Sequence, residues 1–239
     1  MISFIIPAYN EEALIEETVS QLKESADLLK LDYEIIVVDD DSNDRTAQLA
    51  NAAGAKVVQV KNRQISATRN AGAKAAKGDI FIFVDADTLI PTNTLRAALR
   101  ALENGAVGGG ATIKFRGQIS LAAQIFAVIV QLSMRCARLV GGCFMFMTRE
   151  AYEKAGGYDE SIYASEEIWF AMALRRQGRF VVLHENVLTS GRKIRQYGLL
   201  KLLMVIIKMA IRGPSVLTSR DGLEVWYKSG RELKGADDS

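Results

Sequence analysis

The sequence predicts an α/β fold: a single domain with a mostly parallel central sheet and helices on both faces. The chain has 239 residues, of which 49% are hydrophobic, which is enough to bury one large core. Through the first half, apolar runs of strand length alternate with helical patterns. No repeat, low-complexity tract or linker divides the chain. Strand and helix alternating in this way fold into parallel sheets covered on both faces.

Four apolar runs with β-branched or aromatic content predict strands. They are Ile2–Ile6, Glu34–Val38, Lys56–Val60 and Ile80–Val84. Between them, three helices are expected: one with apolar spacing over Ile15–Leu29, capped by Asn10 with Glu11–Glu12 near the positive end of its dipole, one from Asp44 to Gly54, and one over Ser66–Lys77 that ends at Gly78.

The charge and the cysteine content limit the classes of function and the cellular compartments that fit this chain. Thirty basic residues against 28 acidic ones give a net charge of +2, which argues against a general nucleic-acid binder, since such a protein has a strong basic excess. Cys136 and Cys143 match no metal-ligand spacing, which favours free thiols in a reducing cytoplasm. Pro7 ends the first apolar run before a signal-peptide core could form, so no secretion signal is expected.

Polar clusters follow three of the predicted strands: Pro7–Glu11, Asp39–Ser42 and Asp85–Asp87. In parallel sheets, ligands bind beyond the carboxyl ends of the strands. Each cluster alone also fits an ordinary loop or helix cap. Together, however, they bring five aspartates to one edge, where their repulsion requires a cation or hydrogen-bond donors. Mg²⁺ or Mn²⁺, which prefer carboxylate and phosphate oxygens, fit that requirement.

Five segments in order resemble the motifs of family 2 glycosyltransferases, which have the GT-A fold and use nucleotide sugars. These segments are Ile5–Glu11, Val37–Thr46, Ala67–Gly72, Asp85–Asp87 and Gly156–Glu160. The last resembles the turn before the family's catalytic acid pair, which here would be Glu166–Glu167. The resemblance covers about Ile2–Gly178. It departs from the family at Asp41, where glycine is common, and at Glu167, where aspartate is usual.

The resemblance implies a GT-A-type domain over residues 1–228, followed by a flexible tail at 229–239. Its nucleotide-sugar-binding half would span about 1–115, and its acceptor-side half about 116–228. The implied reaction moves one sugar from a nucleoside-diphosphate sugar to an acceptor hydroxyl or phosphate, with inversion and metal assistance. The many membrane spans and the Gln-x-x-Arg-Trp motif of the family's processive synthases are not found in the sequence.

The resemblance also assigns the donor site. The implied donor-binding residues are Pro7, Ala8, Tyr9, Glu11, Asp40, Arg69, Asp85 and Ala86. Asp40 would accept the N–H of a uracil-type ring. Asp87 would be the direct metal ligand, with Asp85 close to the ribose or sugar and also a candidate ligand.

Glu167 aligns with the family's general base, which would take the proton of the acceptor hydroxyl. Because Glu167 has a longer side chain than the usual aspartate, Glu166 stays an alternative base. Without the other motifs, Glu166 and Glu167 would read as first-turn acids of a helix that follows Ser165.

Three further residues are candidates near the diphosphate. His184 follows an apolar run and resembles a metal-binding histidine of the family, although a lone histidine is more often structural. Arg192 and Lys193 lie after a turn and would close over the phosphates. The alternative for both is a solvated basic loop.

Two stretches without any acidic residue, Asn104–Arg149 and Asn186–Arg220, are rich in apolar and basic side chains. Within the first, the uncharged run Gly117–Met134 favours a buried or interfacial helix over a membrane span. In the second, Tyr197–Arg212 suits peripheral contact with the anionic inner face of a membrane. A core helix with snorkelling lysines is the alternative. The acceptor would be a sugar, a lipid or a polyprenyl phosphate.

Two other functions compete with this one. A sugar nucleotidyltransferase would bind nucleotide and metal on a related sheet, but its first strand should lead into a glycine-rich basic loop, whereas Pro7–Glu11 follows here. A non-catalytic, membrane-associated nucleotide-sugar-binding protein could keep the donor pocket without a base, but Glu166 and Glu167 weigh against it.

Overall fold

The four predicted strands form and lie side by side in one sheet. The structure, a computed structural model, describes residues 1–116, 128–129, 132, 140–163 and 165–192. Its strands follow the order β3-β2-β1-β4-β7-β6-β8-β5. The strands are β1 (Ile2–Ala8), β2 (Tyr33–Asp40), β3 (Lys56–Val60), β4 (Ile80–Val84), β5 (Thr88–Leu89), β6 (Gly108–Arg116), β7 (Phe144–Thr148) and β8 (Phe180–Ser190).

All strand pairs in the first half of the sheet are parallel, whereas the second half contains both parallel and antiparallel pairs. β1 pairs in parallel with β2 and β4, and β2 pairs in parallel with β3. β7 runs antiparallel to both β4 and β6, and β5 runs antiparallel to β8, while β6 and β8 are parallel. The predicted, mostly parallel sheet is therefore confirmed, but it also contains antiparallel pairs. These pairs occur in the part of the chain where strands and helices no longer alternate.

Helices cover both faces of the sheet, as predicted. They are α1 (Ile15–Leu28), α2 (Thr46–Ala52), α3 (Ile65–Ala75), α4 (Thr92–Glu103), α5 (Arg149–Ala155) and α6 (Glu166–Arg175). One core joins α1, α2 and α4 to the sheet, with Leu22 and Leu95 packed in the same cluster as Phe4. The other core joins α3, α5 and α6, with Tyr152 and Phe170 inside it. Because each helix buries an apolar stripe, the sheet edge between the two layers is left for polar side chains.

Helix α3 packs directly on the sheet at Gly72. A Cβ atom at this position would overlap Ile5 and would lie 2.8 Å from Cγ2 of Val38. Glycine is therefore required for the close approach of α3 to β1 and β2. One helical turn earlier, Arg69 is brought over the carboxyl end of the sheet by this packing.

The predicted cap of α1 is wrong. The helix begins at Ile15, so Asn10 and Glu11–Glu12 all precede it. Asn10 instead has a φ of 53°, and its side-chain oxygen accepts a hydrogen bond from the backbone N–H of Asn43 at 2.8 Å. Its own N–H donates to the hydroxyl of Ser42 at 3.0 Å. Polar side chains thus tie the loop after β1 to the loop after β2, which competes with helix capping.

Several sequence predictions fall outside the described residues. They concern Cys136, most of Gly117–Met134, and the whole of Tyr197–Arg212 and of the tail 229–239. Cys143 is a buried free thiol. Within the described ranges, none of the helices combines the length and the apolar character needed to cross a bilayer.

Candidate active site

Asp40, the last residue of β2, holds a loop of the chain itself. Its carboxylate accepts hydrogen bonds from the backbone N–H groups of Asn62 at 2.7 Å, Arg63 at 2.8 Å and Gln64 at 3.1 Å. The hydroxyl of Thr68 donates a fourth at 2.9 Å. A carboxylate has about four acceptor positions, and these donors occupy them. The predicted contact of Asp40 with a nucleotide ring is therefore at odds with its geometry.

The neighbouring Asp39 has the opposite character. It is 3% exposed, lies opposite Ala8 in the parallel register, and within the described part of the chain its Oδ1 atom has no hydrogen-bond partner. A buried carboxylate oxygen without a donor is costly, by about 1–3 kcal/mol or more. Of the two adjacent aspartates, Asp39 is thus the one with a buried oxygen, Oδ1, that has no donor among the described residues.

A cation–aromatic pair joins the loop after β1 to the loop after β3. The guanidinium of Arg63 is 3.6 Å from the ring centroid of Tyr9. Arg63 is not among the residues predicted from the sequence, although it lies three residues after β3, where the position of the other candidates at strand ends would have indicated it. Pro7 and Ala8, predicted to line the pocket, are the buried last two residues of β1. They place Tyr9 at the edge of the sheet.

The turn after β4 presents two aspartates and buries the residue between them. Ala86 is 5% exposed, and its carbonyl accepts a hydrogen bond from the hydroxyl of Thr18 at 2.8 Å. The backbone N–H of Asp85 donates to the carbonyl of Cys143 at 3.1 Å. This anchoring fixes Ala86 as a core spacer and leaves the side chains of Asp85 and Asp87 33% and 14% exposed.

Arg69 joins Asp85 to the acid pair of α6. Its Nη1 atom lies 2.5 Å from Oε1 of Glu166, and its Nη2 atom lies 3.0 Å from both Oδ1 of Asp85 and the carbonyl oxygen of Gly142. We call Arg69, Asp85 and Glu166 the Arg69 cluster. Burial alone would lower the pKa of Arg69, but the nearby Tyr158 and the carboxylates raise it above its ordinary value. Arg69, predicted to line the base pocket, is instead the buried centre of this cluster.

Glu166 and Glu167 begin α6, directly after Ser165, which has a φ of 58°. Glu166 is 6% exposed and paired with Arg69. The pKa of Glu167 is raised to about 8, mainly by burial and further by the negative charge of Glu166, while Arg69 opposes the rise. A carboxylate with a raised pKa is a stronger base than usual, which suits Glu167 for proton abstraction.

A second arginine lies beside the other aspartate of the turn. Arg192 forms two hydrogen bonds with the carboxylate of Glu11, at 2.9 Å and 2.6 Å, and its Nη2 atom lies 3.7 Å from Oδ2 of Asp87. We call Arg192, Glu11 and Asp87 the Arg192 cluster. The side chain of Arg192 is 11% exposed, so it is not the solvated basic residue that the sequence allowed. Lys193 lies outside the described residues.

His184 does not join this cluster. It is exposed and lies within β8, which continues to Ser190. Asp87 contacts the far end of that strand, where its carbonyl accepts the N–H of Ser190 at 3.1 Å. Since a strand rises about 3.3 Å per residue, the six residues from His184 to Ser190 correspond to about 20 Å. This separation along β8 does not favour His184 as a ligand of the same metal as Asp87.

The carboxylates of Asp85 and Asp87 fit a metal ion that binds together with a nucleotide. Among the described residues, no three metal-binding side chains gather closely enough to form a cage for an ion. Mg²⁺ or Mn²⁺ at a diphosphate needs only one or two carboxylates, because phosphate oxygens and waters complete its coordination shell. Asp87, with Asp85 two residues away, can supply them.

A family model identifies the chain. Residues 3–134 match glycosyl transferase family 2. This match spans more than half of the chain and contains β2 to β6, nearly all of β1, and the four aspartates at the ends of β2 and β4. The chain belongs to this family, and the predicted family membership is confirmed.

Curated relatives match somewhat less than half of the chain. A dolichol-phosphate mannosyltransferase of Pyrococcus furiosus is 38% identical over 109 residues, which is 44% of this chain and 30% of the relative. An undecaprenyl-phosphate 4-deoxy-4-formamido-L-arabinose transferase of Aeromonas hydrophila is 35% identical over 112 residues, 44% of this chain and 34% of the relative. The chain matches about a third of the length of these proteins.

Solved structures show the same fold over most of the chain. The mannosyltransferase PcManGT from Pyrobaculum calidifontis, in complex with GDP-Man and Mn²⁺, has a TM-score of 0.65 at 21% identity and covers 89% of this chain and 64% of its own. Staphylococcus aureus TarS 1-349, in complex with UDP-GlcNAc, has a TM-score of 0.64 at 22% identity, and the match covers 85% of this chain and 65% of the TarS chain. These likenesses confirm the GT-A-type α/β fold.

Proposed function

We propose that this chain is the catalytic domain of a glycosyltransferase that moves one sugar from a nucleoside-diphosphate sugar to an acceptor, with inversion and with Mg²⁺ or Mn²⁺. The observation that carries the proposal is the Arg69 cluster. One buried guanidinium contacts Asp85 on the donor side and Glu166 beside the candidate base. The two halves of such a reaction are thereby held at a fixed separation.

The donor base would bind where β1, β2 and β3 end. Oδ1 of Asp39 is the acceptor suited to a ring N–H, which both uracil and guanine offer. Tyr9 and Arg63 form a flat pair that can stack on the base. Asp39 thus replaces Asp40 in the role that the sequence suggested, while Asp40 keeps the loop of Arg63 in place.

The diphosphate would lie over the turn after β4. Asp87, with Asp85, would hold the divalent ion, which when bound neutralises the leaving nucleoside diphosphate. Arg192 is close enough to Asp87 to transfer its hydrogen bonds from Glu11 to a phosphate oxygen. PcManGT, which has the same fold, was solved with GDP-Man and Mn²⁺.

Glu167 would take the proton from an acceptor hydroxyl as the oxygen attacks the anomeric carbon. The charge on Glu166 makes ionised Glu167 a stronger base, and Arg69 limits the effect. Attack from the face opposite to the leaving group inverts the anomeric centre. An acceptor phosphate would need no such base, because its oxygen is already ionised.

A phosphate on a polyprenyl lipid is the second candidate acceptor. The two curated relatives named above are transferases for dolichol phosphate and undecaprenyl phosphate. On α6, the helix that starts with the two glutamates, Trp169 and Met172 are 41% and 42% exposed. An exposed tryptophan next to such a site suits the surface of a membrane. The protein would then act at the cytoplasmic face as a peripheral membrane protein.

One assay tests the function and separates the two acceptors. Purified protein is incubated with a panel of UDP- and GDP-sugars and Mn²⁺, with a hydroxyl acceptor or with polyprenyl phosphate in anionic vesicles. With a hydroxyl acceptor, Glu167→Gln should lose about 100-fold or more in turnover. With a phosphate acceptor it should lose far less.

Glu24→Gln, at an exposed acid of α1, is the matched control and should transfer at the parent rate. Absence of transfer by the parent from every donor would refute the proposed activity. A parent rate in Glu167→Gln with a hydroxyl acceptor would remove Glu167 from the role of base.

A further inference from the structure

Gly142, two residues before β7, lies against both Arg69 and Glu167. A Cβ atom on Gly142 would be 3.2 Å from Nη2 of Arg69, 3.3 Å from Cδ of Glu167 and 3.4 Å from Cβ of Glu167. These distances are a few tenths of an ångström shorter than ordinary carbon contacts. The carbonyl of Gly142 also accepts a hydrogen bond from Arg69. Both its backbone and its missing side chain thus face the candidate catalytic groups.

Of the two neighbours, Glu167 is the one that could move. Arg69 is 2% exposed and held by Glu166, Asp85 and the Gly142 carbonyl. Displacing it would break contacts to two carboxylates in a buried site, which is costly. Glu167 is half-buried at the start of α6. A side chain at position 142 would therefore push the carboxyl group of Glu167 out of its present position.

The space left at Gly142 also fits the length of the Glu167 side chain. The side chain of glutamate is longer than that of aspartate by one methylene group. The carboxyl carbon of Glu167 lies at the place where a side chain at position 142 would pack. The absence of that side chain accommodates the extra length.

We propose that Gly142 is a positioning residue that leaves room for the carboxyl group of Glu167 and so sets where the base meets the acceptor. The proposal rests on the proposed glycosyl transfer and on Glu167 as its base. A displacement of about 1 Å in a catalytic group can cost about 100-fold in rate. Donor binding would depend mainly on Asp39 and Asp87, and Arg69 keeps its contact with Asp85 if Glu167 is the group that moves, so the Kd for the donor should change little.

The test compares Gly142→Ala in two backgrounds with a hydroxyl acceptor. In the parent, it should lower kcat about 10- to 100-fold and leave the Kd for nucleoside diphosphate with Mn²⁺ within about twofold. In the Glu167→Asp background, which has a slower but measurable rate, the same change should cost less than about threefold, because the shorter acid avoids the added methyl group.

Gly141→Ala is the matched control. A Cβ atom there would meet Cδ1 of Ile113 at 3.0 Å, the far end of a flexible side chain, so kcat should stay near the parent value. Circular dichroism and the melting temperature confirm that each variant folds. Equal losses in the two backgrounds, or a parent kcat in Gly142→Ala, would overturn the positioning role. A parent protein without transfer would instead refute the proposed function, and this role with it.

Discussion

The Arg69 cluster and the Arg192 cluster have the same composition and different environments. Each places one arginine between two carboxylates, one of which comes from the turn after β4. In the first, Arg69 is 3% exposed in its side chain and lies 3.0 Å from Asp85. In the second, Arg192 is 11% exposed and lies 3.7 Å from Asp87. The contact to the aspartate is thus tighter where the arginine is more deeply buried.

This difference suggests separate tasks for two aspartates that are two residues apart. Asp85 has a buried, permanently charged partner, so we infer that it keeps the turn aligned with α6. Asp87 has a looser contact with Arg192, which a cation at the diphosphate could replace at little cost. In this motif, Asp85 would therefore keep its arginine partner, whereas Asp87 would exchange its partner for the cation.

The largest expected effect is on stability. Arg69→Met should lower the free energy of unfolding by about 3–5 kcal/mol, because it leaves Glu166 and Asp85 without their buried counter-charge. Arg192→Met should cost about 1–2 kcal/mol, since Arg192 is less buried than Arg69 and since Glu11 and Asp87 are both more exposed than Glu166. Urea unfolding measures both. Equal losses would remove the distinction between the clusters.

A smaller effect is expected on donor binding. In calorimetry with a nucleoside diphosphate and Mn²⁺, Asp87→Asn should weaken binding at least about tenfold. Asp85→Asn should weaken it less, because Arg69 remains to hold the turn. If the two substitutions ranked in the opposite order, Asp85 would be the exchangeable aspartate.

The smallest effect concerns pH. A base works when ionised, so with the pKa of Glu167 at about 8, kcat/KM for a hydroxyl acceptor should rise as the pH increases through 8. Glu166→Gln removes the negative charge that disfavours ionisation of Glu167, and also releases Arg69 from its partner. Both changes lower the pKa of Glu167, so the rise should move to lower pH. A shift to higher pH, or none, would show that Glu166 does not act on the base.

The first half of the fold could be predicted because local patterns determine it. Buried strands followed by amphipathic helices fix both the parallel pairing and the edge that carries the aspartates. The end of β8 could not be predicted in this way. Polar residues follow Leu183 and suggested that the strand stops there, but pairing with β6 extends it to Ser190. This extension is what separates His184 from Asp87.

The sequence indicated which residues belong to the site better than it indicated which contacts they make. Asp39 and Asp40 are adjacent and chemically identical, and what distinguishes them is a set of backbone N–H groups more than 20 residues further on. Likewise, Arg69 contacts Glu166, which is 97 residues away in the chain. Such long-range contacts depend on how α3 and α6 pack on the sheet, and no local pattern encodes that geometry.

The four hydrogen bonds of Asp40 have a consequence for local dynamics. The amide protons of Asn62, Arg63 and Gln64 all point to one carboxylate, so they are protected from exchange with solvent by a single side chain. They should become accessible together, in one opening event, rather than one by one. The loop that presents Arg63 to Tyr9 therefore behaves as one cooperative unit, whose opening rate can be followed at three neighbouring amides at once.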